Sequence, residues 1–242
     1  EYYQKNPTAA ANLRGSIYEE KIINLIKQKS KQTKKIISIK EAEEIIKEAT
    51  KNLYDGVSIS DVRTSLVMTA RTLVEKEPNY TYTTARILLD NLRTEALTYL
   101  DIKEEATQSE MEMIYPKALV TFIKKGIENG ILNPELNDLD VAKLGTAIKP
   151  ERDKNFTYLG LQTLYDRYFI HKEEVRYELP QIFFMRVAMG LALEEENREE
   201  KAIEFYDLLS KFDYMSSTPT LFNAGTKHSQ LSSCYLTTVP DD

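Results

Sequence analysis

The sequence predicts a mainly helical protein with one strand-like stretch near its end. Apolar residues recur at helical spacing through most of the 242 residues, and the composition turns towards strand only after Leu221. Eight Gly and eight Pro are few for this length, which favours long helices over hairpins. A mainly α fold is therefore expected.

The composition excludes several classes of function. The chain is 42% apolar and 29% charged, which is enough to build one or two cores. A net charge of −6 argues against a nucleic-acid-binding surface. No apolar run approaches the roughly 20 residues that span a bilayer, and no signal peptide is recognisable. One cysteine excludes an internal disulfide and fits a reducing compartment, so we expect a cytoplasmic protein.

The first half of the chain predicts four principal helices. We expect them over residues 16–29, 39–53, 58–74 and 80–100. Gly56 follows the second as a possible left-handed C-cap, and Ser58 with Asp61 forms a capping-box-like start for the third. Because the first residue is Glu1 rather than Met, an upstream piece is also expected.

The second half predicts four more helices, over residues 111–129, 155–169, 180–193 and 199–212. Gly130 ends the first of these, and Asn155 is the expected N-cap of the next. The helix that begins at Pro180 is apolar on nearly every side and therefore buried. Arg186 lies inside it and needs a carboxylate or carbonyl partner, because an unpaired buried charge is costly.

Cys234, in the stretch "QLSSCYLTTVPDD", is the first candidate for chemistry. A lone cysteine in an apolar context is usually a packed core residue. The serines beside this thiol and the upstream "TPTLFNAGT" instead favour a polar ligand held next to a reactive sulfur, and the spacing alone leaves both readings open. His171 and His228 do not form a metal pair, so no metal site is expected.

Four consecutive blocks of the sequence resemble the large subunit of ribonucleotide reductase. They are "NFTYLGLQTLYDRYF", "ELPQIFFMRVAMGLAL", "EFYDLLSKFDYMSSTPTLFNAGT" and "QLSSCYLTTVPDD", in the order and spacing of that family. The resemblance implies an N-terminal fragment, residues 48–242. Residues 107–222 would form the helical domain, and 223–242 would begin the α/β barrel with its first strand.

The resemblance implies roles for four residues. Cys234 resembles the cysteine that reduces the substrate and then pairs with a second cysteine. Ser233 resembles a nucleotide contact, and Thr218 resembles the threonine that contacts the substrate phosphate. Asp241 lies at the start of the segment that binds the specificity effector.

Two further resemblances concern the N-terminal part. Residues 48–100 resemble the second half of an ATP cone, without its opening strands and "KRDG" loop. Two effector-binding positions of the cone fall at Ile59 and Thr94, so ATP or dATP is not expected to bind there. Residues 1–47, with "YYQKNP" and "LRGSIYEEKIINLI", resemble the C-terminal end of trigger factor, through a natural fusion or a gene-boundary error.

The family reaction would reduce ribonucleotides to deoxyribonucleotides by thiyl-radical and redox-cysteine chemistry. The implied partners are the ribonucleotide substrate, nucleotide effectors (ATP, dNTP), a small radical-generating subunit and a thioredoxin-type reductant. This fragment would bind no cofactor itself and, with one cysteine, would be inactive alone. The alternatives are a chaperone-like or protein-interaction helical module, and an inert truncated product with an exposed edge strand.

Overall fold

A computed structural model describes residues 39–237 of the chain. The helix predicted over residues 16–29, residues 1–38 of the trigger-factor-like segment 1–47, and Asp241 lie outside this range. Within it the protein is mainly helical, as the sequence predicts.

The described residues form nine α-helices, three short 3-10 helices and one two-stranded sheet. The α-helices are α1 (Ile39–Thr50), α2 (Ile59–Thr72), α3 (Tyr80–Tyr99), α4 (Met111–Glu128), α5 (Val141–Ala147), α6 (Tyr158–Arg167), α7 (Pro180–Ala192), α8 (Arg198–Ser210) and α9 (Thr218–Asn223). The 3-10 helices are Leu73–Glu75, Pro134–Asp138 and Pro150–Asn155. Strands β1 (His171–Lys172) and β2 (Val175–Arg176) are antiparallel, with His171 opposite Arg176.

The helix ends follow local chemistry that the sequence predicts in part. The Ser58 hydroxyl accepts a hydrogen bond from the Asp61 N–H at 3.1 Å, which confirms the predicted start of α2. Gly130 follows α4 with φ +72°, and the Ile131 N–H donates to the Gly126 carbonyl at 3.0 Å, as in a Schellman motif. The predicted end of this helix is therefore confirmed.

Two predicted caps are wrong. Helix α1 ends at Thr50, so Gly56, with φ +88°, lies in the following turn and caps no helix. Asn155 ends a 3-10 helix, and Thr157 caps α6 in its place. Thr157 has the extended backbone of an N-cap, and its hydroxyl accepts from the Gly160 N–H at 3.3 Å.

One continuous hydrophobic core extends from α2 to the residues after α9. It contains buried side chains on α3, α4, α7 and α8 and just beyond α9, among them Leu92, Leu97, Phe122, Phe183, Phe184, Tyr206 and Ala224. Every residue of α7 from Pro180 to Met189 is buried, which confirms the prediction of a helix surrounded on all sides. The core crosses residues 100 and 222, where the family resemblance predicts domain boundaries, and those boundaries stay predictions.

The strand predicted for the end of the chain is absent from its described part. Residues 231–237 have no regular secondary structure, and Cys234, Tyr235 and Leu236 are exposed. A strand requires a hydrogen-bonding neighbour, and no described segment pairs with these residues. The only regular sheet in residues 39–237 is the β1–β2 hairpin, which the sequence analysis did not predict.

Candidate functional site

Helix α9 places Thr218 on the protein surface. Thr218 is its first residue and is exposed, with Pro219 in the same turn. The Thr218 hydroxyl lies 3.2 Å from the Tyr168 hydroxyl. The Tyr168 ring stacks on Phe222 with ring centroids 4.5 Å apart and an interplanar angle of 10°. The end of α6 is thereby attached to both ends of α9.

A buried arginine fixes the C-terminal end of α9. The Arg186 guanidinium donates to the carbonyl oxygens of Leu221 at 3.2 Å and Ala224 at 2.7 Å, and its Nε donates to Glu178 at 2.6 Å. Both charged side chains are fully buried, and Glu178 also accepts from the Ile170 N–H at 2.9 Å. The predicted need for a carboxylate or carbonyl partner is confirmed, because Arg186 has both.

The backbone after α9 lies directly against α7. A Cβ atom added to Gly190 would lie 2.0 Å from the Gly225 nitrogen, and one added to Gly225 would lie 2.9 Å from the Arg186 carbonyl oxygen. Gly225 also has φ +75°, which favours glycine. Neither position accommodates a side chain without a shift of backbone.

The same backbone is attached to the loop after α4. Leu132 and Thr226 form an isolated antiparallel bridge. The Asn133 N–H donates to the Gly225 carbonyl at 3.0 Å, and the Lys227 N–H donates to the Ile131 carbonyl at 2.9 Å. Residues 224–227 are therefore held on two sides, by α7 and by this loop.

Two side chains of α9 join it to the segment that precedes the thiol. The Thr220 hydroxyl donates to the Leu231 carbonyl at 3.1 Å, and the Asn223 amide donates to the Gln230 carbonyl at 2.7 Å. Cys234 follows three residues after Leu231 and is exposed, with its Sγ 3.9 Å from the Ser233 hydroxyl. The structure thus joins the segments of Thr218 and Cys234, although it gives no direct contact between the two side chains.

An open, mainly apolar groove of about 500 Å³ lies beside α9. It is lined by residues of α7, α8, the loop before α9 and α9 itself: Leu191, Phe205, Leu208, Leu209, Tyr214, Ser216, Ser217 and Thr220. The Ser217 and Thr220 hydroxyls, 3.2 Å apart, are its polar edge. The groove therefore offers an apolar surface beside the exposed first turn of α9.

A buried polar network contacts α7 through Gln181, and no sequence pattern predicted it. Asp153 is fully buried and accepts from Arg93 at 2.9 Å, Tyr115 at 2.8 Å and Gln181 at 2.9 Å. Burial raises the pKa of Asp153, and the Arg93 charge opposes this effect. Tyr206 donates to Gln181 at 2.8 Å, and burial raises its pKa to about 12. The one available signal was Gln181, a polar residue within an apolar run.

Other predicted positions are less informative. Ile59 is exposed at the start of α2, and the Thr94 hydroxyl bonds to the Asp90 carbonyl of its own helix at 3.2 Å. His171 and His228 are both exposed, as expected for surface residues. In the described part of the chain, no group of three or more His, Cys, Asp or Glu is arranged to hold a metal ion. No helix there is long and apolar enough to cross a membrane.

Comparison with known sequences agrees with this architecture. Residues 154–229 match the family described as "Ribonucleotide reductase, all-alpha domain". The chain is 47% identical over 195 residues to the ribonucleoside-diphosphate reductase subunit alpha of Chlamydia muridarum, covering 80% of the chain and 18% of that protein. The Helicobacter pylori (strain ATCC 700392 / 26695) subunit alpha is 35% identical over 191 residues, covering 78% of the chain and 22% of that protein.

A vertebrate relative shows the same pattern. The large subunit of Danio rerio is 31% identical over 199 residues, which cover 82% of the chain and 24% of that protein. The chain thus spans about a fifth of the length of these relatives. The resemblance to the large subunit of ribonucleotide reductase is confirmed, and the helical fold agrees with an all-alpha domain of that type. The resemblance of residues 1–47 to trigger factor stays a prediction.

Proposed function

We propose that this chain is the N-terminal part of a ribonucleoside-diphosphate reductase large subunit, in which Cys234 reduces the substrate ribose. The observation that best supports this is the pair of hydrogen bonds from Thr220 and Asn223 to residues 231 and 230. They hold an exposed hydroxyl-bearing helix beside the segment with the only thiol of the chain. Similarity to the named reductases supports the assignment of ribonucleotide reduction to this arrangement.

The proposed reaction needs two thiols. The 2′-hydroxyl of the ribose leaves as water, and a hydrogen takes its place on carbon. Two thiols together lose two protons and two electrons and become a disulfide. Cys234 supplies one of them, and the chain holds no other cysteine. A second thiol and the thiyl radical that starts the reaction are therefore assigned to other parts of the full-length protein, and these 242 residues alone are expected not to turn over.

Substrate and effector binding follow the same proposal. Thr218 donates to the substrate phosphate from the exposed first turn of α9, and Ser233 contacts the nucleotide beside the thiol. Asp241, outside the described residues, belongs to the specificity-effector site. The partners are the ribonucleotide, a deoxynucleotide effector, a small radical-generating subunit and a thioredoxin-type reductant. The reaction is assigned to the cytoplasm, where thiols remain reduced.

The N-terminal part contributes no effector site in this proposal. We infer that residues 48–100 are the remaining helices of an ATP cone, and that residues 1–47 are a segment of the trigger-factor type. The chaperone-like alternative depends on residues 1–100. An aggregation-suppression assay with the whole chain and a chain that lacks residues 1–47 tests it, because that alternative requires suppression by the longer chain only.

Replacement of Cys234 by serine in the full-length reductase tests the proposed function. Deoxynucleotide formation with a thioredoxin-type reductant should lose multiple turnover in the Cys234→Ser variant. The matched control is Ser229→Ala, because Ser229 is exposed and has no hydrogen-bond partner among the described side chains. Undiminished multiple turnover by Cys234→Ser would exclude the proposed role of this thiol.

A further inference from the structure

We propose that the Tyr168 hydroxyl is a second donor to the substrate phosphate, acting together with Thr218. This inference rests on the proposed function, and it adds a residue that neither the sequence motifs nor the resemblance assigns. It also names the part of the substrate that this residue recognises, which is a phosphate group of the ribonucleotide.

The position of the Tyr168 hydroxyl is fixed by packing of its ring. Tyr168 is the residue that ends α6, and its N–H donates to the Leu164 carbonyl at 2.9 Å. Its ring stacks on Phe222 at 4.5 Å and meets the edge of Phe183 at 6.3 Å. A ring packed against two aromatic neighbours keeps its hydroxyl in one place, 3.2 Å from the Thr218 hydroxyl.

The Tyr168–Thr218 hydroxyl pair differs from the neighbouring Ser217–Thr220 pair in the number of protons that are free to be donated. Thr220 donates its proton to the Leu231 carbonyl, and it therefore accepts the proton of Ser217. That pair has no proton left for a ligand. Tyr168 and Thr218 bond to each other and to no other described side chain, so one of their two protons is unused.

A phosphate group fits this pair of donors. Bonds from a hydroxyl to an anionic oxygen are about 2.5–2.7 Å long, and two donors 3.2 Å apart can both reach oxygens of one phosphate. Binding would replace the single bond between the hydroxyls with two bonds to a charged acceptor. Thr218 is exposed, so the phosphate can approach from solvent.

The test uses Tyr168→Phe in the full-length reductase, which keeps the stacked ring and removes only the hydroxyl. The KM for a ribonucleoside diphosphate should rise about tenfold with kcat nearly unchanged, because one hydrogen bond to a charged group is lost from both ground and transition states. The Kd of the unphosphorylated ribonucleoside should not change, since it offers no phosphate to Tyr168.

Tyr165→Phe is the matched control. Tyr165 lies three residues earlier in the chain, and its hydroxyl donates to Glu95 at 2.8 Å, away from α9. It should leave both the KM and the nucleoside Kd unchanged even if it lowers the melting temperature. An unchanged diphosphate KM in Tyr168→Phe would overturn the proposal, and so would a fall in kcat with unchanged KM, which indicates a structural role.

Failure of this inference and failure of the proposed function are distinguishable. If Tyr168→Phe is silent while Cys234→Ser stops turnover, only the phosphate contact is wrong. If Cys234→Ser keeps full turnover while Tyr168→Phe raises the KM, the phosphate contact stands and the assigned role of the thiol is wrong.

Discussion

Glu178 accepts two hydrogen bonds from Arg186, at 2.6 and 3.3 Å, and neither side chain reaches solvent. The remaining guanidinium protons point to carbonyl oxygens at the end of α9. A buried pair of this kind is costly to break, because removal of one partner leaves the other charge unpaired.

Arg186→Met should lower the free energy of unfolding by about 3–5 kcal/mol, because it leaves the Glu178 carboxylate buried without its cation. Urea denaturation of the 242-residue chain measures the change. Lys143→Met is the control, since the Lys143–Glu200 pair is exposed to solvent and its loss should change the free energy of unfolding much less. Equal losses in the two variants would contradict the account of Arg186.

Gly190→Ala should destabilise the chain by about 1–3 kcal/mol, because the new methyl group collides with the backbone of Gly225. Helix propensity alone predicts the opposite sign, a gain of up to about 1 kcal/mol. Gly160→Ala on α6 is the control, because its methyl group would meet only the Thr157 hydroxyl, at 3.2 Å. A Gly190→Ala variant as stable as Gly160→Ala would disprove the close approach.

Tyr206→Phe should change how stability depends on pH above 10. The pKa of Tyr206 is raised to about 12 in the folded chain, whereas an unfolded tyrosine ionises near 10. Folding therefore retains a proton that the unfolded state releases, and stability falls as pH rises from about 10 to 12.

The slope is the quantity to measure. Removal of the Tyr206 phenol should make the fall shallower by up to about 1.4 kcal/mol per pH unit. A Tyr206→Phe chain with the wild-type slope would refute the prediction.

Cys234 should react with an aromatic disulfide reagent without denaturant, because the thiol is exposed in the described structure. One equivalent of thiol should be released at a rate close to that of the unfolded chain. A Cys234→Ser chain should give none. Protection of the thiol in the folded chain would show that it is packed, which is the alternative that the sequence left open.

The sequence predicted α7 and its environment better than it predicted the partners of α7. Apolar residues on every side of the helix required burial, and the charge of Arg186 then required a partner. The sequence could not identify Glu178 as that partner. Glu178 lies before the helix and Arg186 lies within it, so helical spacing does not predict their contact. The role of Asp153 could not be predicted either, because its partners come from three separate helices that only the fold brings together.

The end of the chain shows a different limit. The sequence predicted the first strand of a barrel within residues 223–242, and residues 234–237 are the part of the strand-like stretch that the structure describes. Strand propensity depends on the neighbouring strand more than on the residue itself, and none of the described segments supplies that neighbour. The redox role of Cys234 stays a prediction, and the structure adds only that its thiol is exposed.

The contact between Gly190 and Gly225 allows only one alignment of two chain segments. If α7 slid past the loop by a single residue, Met189 or Leu191 would occupy the crossing, where not even a methyl group fits. Displacement of the loop along the helix by a full residue is thereby opposed, and the segment that follows takes its position from this crossing.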